Sequence, residues 1–440
     1  MSGRLRFFVA ALLLSITFIQ GRAQAAGSPK LFVIWDARGK FGYMDSLGKV
    51  VIPTQFDQAY PFTEGVAAVR IGDKAGFIDP SGKPVAPFRF YTASPFSDGV
   101  AEVSVIEGGG QKRHFPCGYV DHSLQFVIEP QTKFSCEEPF HEGFAVVTTY
   151  DDGYGESVSS YINKRGEFAV AGRLAVAKSF SQGLALVNDF AKWALVNREG
   201  QTVIDLRPKN RADTFADVSE PDGSFSEGLA RVGIIVDGSA GYSRFAYMNR
   251  KGQMVFKLPE QVRAKGDFHE GRASVLRNKS ERVQVEVGSG ERIEMGVDVS
   301  GYGYVDPRGK MVIAPKFSEA GDFSEGLAAV RTGKMQPVDR RDLAGSAAES
   351  YFDRDDGRWV CIDRKGAVAI QKCGEPLSYD EVVQRFPYFG ELFGKGFVDG
   401  LFFNKTRRGR ATLYGYQDKS GRYIWIQPHG KGVVRPSWWL

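Results

Sequence analysis

The residue types that carry chemistry are present in this chain, but not at catalytic spacings. Its five histidines, His114, His122, His141, His269 and His429, include no His-x-x-x-His pair, the spacing that presents two imidazoles on one helix face to zinc. Ser226 lacks a Gly-x-Ser-x-Gly elbow, which would project a nucleophile from a strained turn. Gly108 to Gly110 are not followed by the Lys-Ser/Thr of a phosphate loop. Asp353, Asp355 and Asp356 crowd together but lack the spaced oxygen ligands and closing Glu of a calcium loop. The sequence therefore predicts no catalytic residue, no metal ligand and no cofactor; the protein reads as non-enzymatic.

Cysteine chemistry is the exception. Cys117, Cys136, Cys361 and Cys373 fall into two sequence-local pairs. In an oxidising compartment an even number so spaced favours disulfides Cys117–Cys136 and Cys361–Cys373. The alternative is buried free thiols, because Cys117 and Cys361 occupy apolar strand positions.

The elements that must carry these residues repeat. Asp-x-x-Gly, or Asn in place of Asp, recurs with Asp45, Asp79, Asp121, Asn163, Asn197, Asn249, Asp306, Asp363 and Asp418 as its first residue. Gly follows three residues later in every copy but the third, where Leu124 stands. Between apolar runs this is a hairpin signal: the carboxylate or amide accepts a backbone N–H two residues on, and Gly supplies a positive φ. The Leu124 copy is expected to turn differently. A second phrase, Phe-Ser-Glu-Gly-Leu-Ala-x-Val in its fullest form, starts at Phe62, Phe96, Phe140, Phe180, Phe225, Phe268, Phe323 and Phe397, 34 to 74 residues apart. His141 and His269 stand in its Ser position and belong to the repeat.

Alternation shows how each unit packs. Ala67, Ala101, Ala145, Ala185, Ala230, Ala273 and Ala328 each precede a Val by two residues, on one face of a strand. The intervening residue varies and is often polar, so the Ala/Val face is expected to be the core face. The next strand is apolar on both sides, as in the middle of a sheet. The third ends in Pro53, Pro87, Pro130 or Pro315, which suits an edge, since Pro donates no ladder bond. The expected fold is all-β, a tandem array of about eight three-stranded antiparallel meanders anchored by the eight Phe residues. A propeller-like ring and an open β-solenoid both satisfy it; the unequal unit lengths lean towards the open form. Insertions fall at 205–224, 281–299 and 332–358. The second reads as an extra hairpin, and an Ala-rich part of the third as a helical turn or two.

The segment Lys40 to Val69, KFGYMDSLGKVVIPTQFDQAYPFTEGVAAV, resembles the WG-repeat family, whose bacterial units read about K-W-G-Y-I-D-x-x-G-x-x-V-I-P-P-x-F-D-x-A-x-x-F-S-E-G-L-A-x-V. Gly303 to Val330 is similar, and the likeness extends thinly from Gly39 to Ile426. The naming Trp survives at Trp193 and Trp359, with Phe or Tyr in most other copies. The resemblance implies a structural or interaction module and brings no catalytic motif.

Residues 1–25 read as a secretory signal: Arg4 and Arg6, an apolar stretch from Phe7 to Ile19, and a small-x-small site ending at Ala25. Cleavage near Ala25 would leave residues 26–440 as one repeat domain, periplasmic or secreted, with no transmembrane segment. It removes Arg4, Arg6 and Arg22 and no acid, lowering the formal net charge from +5 to +2. Nucleic acid is thereby an unpromising partner. The expected role is a protein-binding or scaffold module of the cell envelope, with specificity in the inserted loops. The alternative is a cell-wall glycan or peptidoglycan binder, suggested by an aromatic share of 13% and by Trp425, Trp438 and Trp439 near the C-terminus.

Overall fold

The fold comes from a computed structural model that describes residues 30–108, 114–151, 156–170, 173–190, 193–205, 225–234, 244–278, 280–286, 292–298, 300–333, 335–337, 352–354, 357–377, 396–408 and 411–427. None of these is helical. The signal-like segment, His429, Trp438, Trp439 and the Ala-rich part of the third insertion lie outside the described residues. Nine small antiparallel sheets stand in a ring as a propeller-like array, and two further two-stranded sheets belong to insertions.

Blade 1 comprises Phe32–Trp35, Phe41–Met44 and Val50–Phe56. Blade 2 has Gln58–Ala59, Ala67–Ile71 and Lys74–Ile78, extended by bridges from Ala75 to Phe90 and Ile78 to Pro84. Blade 3 runs Thr92–Ala93, Ala101–Ser104, Cys117–Val120, Phe126–Gln131; blade 4 runs Ser135–Cys136, Phe144–Asp151, Glu156–Asn163. Blade 5 is built from Val176–Ala177, Leu184–Asn188, Trp193–Asn197 and Thr202–Asp205, blade 6 from Leu229–Ile234, Arg244–Asn249 and Met254–Lys257. Blade 7 has Val262–Ala264, Ala273–Arg277, Gly301–Val305 and Met311–Phe317; blade 8 has Glu319–Ala320, Leu327–Arg331, Trp359–Asp363 and Val368–Ile370. Blade 9 closes the set with Phe397–Val398, Leu401–Arg408, Ala411–Asp418 and Tyr423–Ile426.

The three expected strands are the longer ones of each blade except blades 2 and 4, where the third is reduced to isolated bridges. A short strand added before them makes five blades four-stranded. The ninth blade is the first one: it has its own Asp-x-x-Gly hairpin but no Phe-x-x-Gly turn before it, so counting Phe anchors gave eight. The Pro-bearing strand lies at a sheet edge in blades 1, 3 and 7, but it does not end at its Pro: it runs on to Phe56, Gln131 and Phe317.

The lean towards an open array is corrected. Leu31, Val33 and Trp35 of the first blade share one buried cluster with Leu401, Phe403, Tyr414 and Tyr416 of the last. Trp35 lies 4.8 Å from Trp425, centroid to centroid. Length variation sits in connections rather than in the packed strands, so it does not disturb closure.

Closure also explains why the Ala/Val face is not the sole core face. Ala145, Ala185 and Ala230 are buried, and so are the intervening Val146, Leu186, Ser274 and Ala329. Each sheet is covered on both sides by its neighbours. Even the departing copy obeys this: Phe402 and Asn404 are both buried, and the Tyr423 hydroxyl donates to Asn404 Oδ1 at 2.7 Å.

Neighbouring blades mesh through the hairpin Gly. A Cβ on Gly82 would lie 3.1 Å from Ile52 Cγ2 of the preceding blade, and one on Gly366 would lie 3.1 Å from Ile313. Gly48 meets Ile424 in the same manner, across the seam between last and first blades. At the third copy the expectation of a different, looser turn is corrected: Leu124 turns as the Gly copies do. It holds φ at 58°, its N–H donates to the Asp121 carbonyl at 2.9 Å, and Asp121 Oδ1 accepts from Ser123 and Gln125. The residue four positions after the preceding hairpin Gly is Ala86, where other blades carry Ile52 or Ile313. Leu124 and Ala86 pack in one cluster, so the large side chain occupies space that Ile fills elsewhere, and burial offsets the αL cost.

Cys117 pairs with Cys136, and Cys361 with Cys373, at Cα separations of 6.2 and 5.5 Å. The first staples blade 3 to the opening strand of blade 4. Replacing Cys117 and Cys136 by Ser is expected to cost about 2–4 kcal/mol of stability, read from denaturant midpoints of oxidised protein. A variant melting like the parent would show that the link constrains nothing in the unfolded chain.

Candidate functional site

An up-and-down blade puts its first and third turns on one side of the ring and its second turn on the other. The Phe-x-x-Gly and Asp-x-x-Gly turns therefore share one face, the turn face. The connections between the first and second long strands of each blade, with their insertions, share the opposite face. The extra hairpin pairs Ser280–Glu286 with Arg292–Asp298 and leaves blade 7 there; Met335–Pro337 pairs with Phe352–Arg354 on blade 8 in the equivalent connection. The first insertion departs from Asp205, at the same end of blade 5, and residues 206–224 lie outside the described set.

On this insertion face, between blades 2 and 3, three side chains form an exposed stack. The Tyr91 and Phe115 rings lie 4.5 Å apart and nearly parallel, at 23°. The Arg70 guanidinium sits 5.2 Å from the Tyr91 centroid. Phe115 is 45% exposed. Tyr, Phe and Arg in one solvent-facing stack match the composition of binding hot spots. None of the three stood among the sequence-derived candidates. Tyr91 and Phe115 lie outside the repeated phrases, and their meeting depends on the fold.

The eight Phe anchors are structural. Phe96, Phe140, Phe180, Phe225, Phe268, Phe323 and Phe397 are buried, and Phe62 is partly buried. Each lies between blades: Phe62 packs edge-on against Tyr43 at 4.9 Å, Phe268 against Tyr247 at 4.9 Å, Phe323 against Tyr304 at 4.9 Å. The same Tyr hydroxyls donate to carbonyls of the following blade, Tyr43 to Tyr60 at 2.8 Å and Tyr304 to Gly321 at 2.7 Å. After Phe, Ser97, Ser181, Ser226 and Ser324 each donate to the carbonyl of the next anchor.

The acid in the same turn reaches further. Glu64 accepts from the Gly99 N–H, Asp98 from Gly143, Glu142 from Gly183, Glu227 from Gly271, Glu270 from Gly326 and Glu325 from Gly400. Basic side chains from the next Asp-x-x-Gly turn join them: His122 with Glu64 at 2.9 Å, Lys164 with Asp98 at 3.5 Å, Arg198 with Glu142 at 2.7 Å, Arg364 with Glu270 at 3.4 Å, Lys419 with Glu325 at 2.9 Å. The acid of the ninth blade, Asp399, pairs with Lys30 just before blade 1. Burial works against the charge on Glu142, but Arg198 and the Gly183 N–H hold its carboxyl below the usual range. Thus Phe-Ser-Glu-Gly is the clasp between blades.

The histidines do not converge. His114 pairs with Glu107, His122 with Glu64, and His269 lies 3.7 Å from Asp322. Among the described residues no three His, Cys, Asp or Glu side chains gather as a metal site. Asp355 and Asp356 lie outside the described residues.

One carboxyl is unusual. Burial, then the nearby Glu137 charge, push Glu102 up to about 7 against an opposing hydrogen bond from Ser94. The Tyr119 hydroxyl, near both acids, is buried and has no hydrogen-bond partner among the described residues. A carboxyl whose folded pKa exceeds its ordinary 4.5 is protonated more readily in the native state. Its contribution to stability is complete below that pH and is lost as pH rises through about 7. The loss from this group is at most about 3 kcal/mol. Glu102→Gln is expected to flatten that part of the stability–pH profile; an unchanged slope would remove Glu102 as its source.

Three segments, residues 41–74, 76–105 and 302–335, match the family described as WG containing repeat. This is a WG-repeat-containing protein. Each WG match begins in the aromatic–Gly strand of one blade and ends in the next blade, so a sequence repeat and a blade are out of phase by half a unit. The Gly of the WG pair has a local reason. A Cβ on Gly42 would fall 2.5 Å from the Ile52 carbonyl oxygen, and on Gly303 2.5 Å from that of Ile313. The ladder there shifts register on both sides of Gly, between Phe41 and Tyr43 and between Tyr302 and Tyr304. No curated protein matches the chain. Among solved structures, the crystal structure of TolB from Acinetobacter baumannii aligns over 74% of this chain and 78% of its own, at 10% identity and a TM-score of 0.25. A superposition that loose carries no argument here.

Proposed function

We propose that this WG-repeat ring is an exported, non-enzymatic protein-binding module of the bacterial cell envelope, docking its partner on the insertion face. The observation that carries this is the exposed Arg70–Tyr91–Phe115 stack beside connections of variable length. The stack stands on packed blades, and preorganisation favours binding. Two disulfides support an oxidising compartment. Among the described residues no helix is long and apolar enough to cross a membrane.

A cell-wall glycan is the second reading, because the exposed Phe115 ring would equally stack on a sugar ring. Crosslinking in intact envelopes followed by affinity purification should recover a protein with the parent but not with Tyr91→Ala/Phe115→Ala. Retention on purified peptidoglycan that resists salt and is competed by soluble muropeptides would favour the glycan. Recovery of the same proteins with parent and double variant would remove the stack from the function.

A further inference from the structure

The clasp on the turn face is regular enough that its one irregularity is informative. At the junction from blade 5 to blade 6 the acid position holds Gln182, whose amide Nε2 donates to the Phe225 carbonyl at 3.2 Å. The partner positions are unchanged. Arg250 follows Asn249, as Arg198 follows Asn197 and Arg364 follows Asp363. Gly228 follows Glu227 with φ at 80°, like Gly143, Gly183 and Gly326. At those three junctions a carboxylate of the chain bridges the Gly N–H and the cation. At Arg250 and Gly228 none does among the described residues.

The other departures do not resemble this one. Glu227 binds the Gly271 N–H where Pro307 replaces the cation, an acid without its base. The junction from blade 1 to blade 2 has neither acid nor cation, since Pro80 follows Asp79. Among the described residues, only the fifth-to-sixth junction keeps the cation and lacks the acid.

The surface there is concave. Glu142, Gln182, Gly183, Asn197, Arg198, Glu199 and Arg250 line an open depression of about 560 Å³. Glu142 is engaged by Arg198 at 2.7 Å, and no ion pair joins Glu199 to Arg250. With Lys251 adjacent, the cations left over exceed the acids.

We propose that the fifth-to-sixth junction, at the edge of this depression, binds a carboxylate of another molecule, an acidic side chain or chain terminus of a peptide, between the Arg250 guanidinium, which lines the depression, and the Gly228 N–H. The incoming group takes the place that the chain's own Glu or Asp occupies at the neighbouring junctions. Carboxylate is favoured over other anions because planar carboxylate accepting one backbone N–H and one cation is the arrangement the ring repeats around itself. The site is on the face opposite the Arg70–Tyr91–Phe115 stack and does not depend on it.

The test is a titration of the full chain with acetyl-triglutamyl-amide, watching the Arg250 Nε–Hε resonance, assigned by its loss in Arg250→Gln. A saturable shift is expected, with acetyl-triglutaminyl-amide giving none. Gln182→Glu restores the repeat pattern and fills the place from within, so it should weaken the peptide at least ten-fold and move the resonance before any peptide is added. An Arg250 signal indifferent to the acidic peptide, or one that responds equally in Gln182→Glu, would overturn the proposal. Either result would leave the insertion-face reading standing.

Discussion

Phe180→Ala is expected to destabilise the protein by about 3–5 kcal/mol, the cost of emptying an aromatic position in a packed core. Phe180 is 3% exposed. Its ring lies 5.0 Å from Tyr161 of the preceding blade and 5.0 Å from Phe144. It shares a cluster with Val146, Val170, Ala185 and Val196, drawn from both blades. Alanine would leave a void bounded by two sheets that cannot collapse without disturbing the clasp of Glu142 on Gly183 and Arg198. The loss should appear as a lower denaturant midpoint at constant m-value. A change below about 1 kcal/mol would mean that the anchors are not the cement between blades, since a single exposed Phe contributes little.

The second large effect is expected at the seam. Trp35→Ala removes a ring that meets Phe41 at 6.2 Å in its own blade, and Phe403 at 6.0 Å and Trp425 at 4.8 Å in the last. Truncating a Trp buried to 8% exposure is again expected to cost about 3–5 kcal/mol. The distribution of the loss should differ from that at Phe180. Among the described residues, blades 1 and 9 meet through side chains, Lys30–Asp399 included, so weakening them permits local opening. Amide exchange should rise in Phe32–Trp35 and Tyr423–Ile426 before the rest of the ring, as a cooperative unit of lower stability. Trp35→Ala combined with Trp425→Ala should show coupling of about 0.5–1.5 kcal/mol. Uniform exchange around the ring, or strict additivity, would place the closing contact elsewhere.

Much of the architecture was legible because it is periodic. Strand alternation, the Asp-x-x-Gly turns and the Phe anchors are local patterns whose meaning depends on neighbours two to four residues away. The role of Glu in Phe-Ser-Glu-Gly was not legible in that way. Glu142 accepts from Gly183 and pairs with Arg198, partners one blade away in space. Its recurrence beside Gly was visible, and read across copies it could have suggested an interaction between units. Gln182 then stands out as the interrupted copy. The Arg70–Tyr91–Phe115 stack gave no sequence signal, since its members are non-repeating residues from three separate segments. The turn at Leu124 was misread for a related reason. A lone non-Gly residue at positive φ looks like a defect until Ala86, which makes room for it, is seen across the interface.

From its residues alone this chain is an all-β repeat protein with two local cysteine pairs and no recurring catalytic constellation, because short-range spacing dictates strands, turns and crosslinks. Closure into nine blades, burial of both sheet faces, and the segregation of clasps to one face and insertions to the other were decided by tertiary structure. Those properties depend on how much each sheet rotates relative to the next. That rotation is set by summed packing at every interface, and no single repeat encodes it.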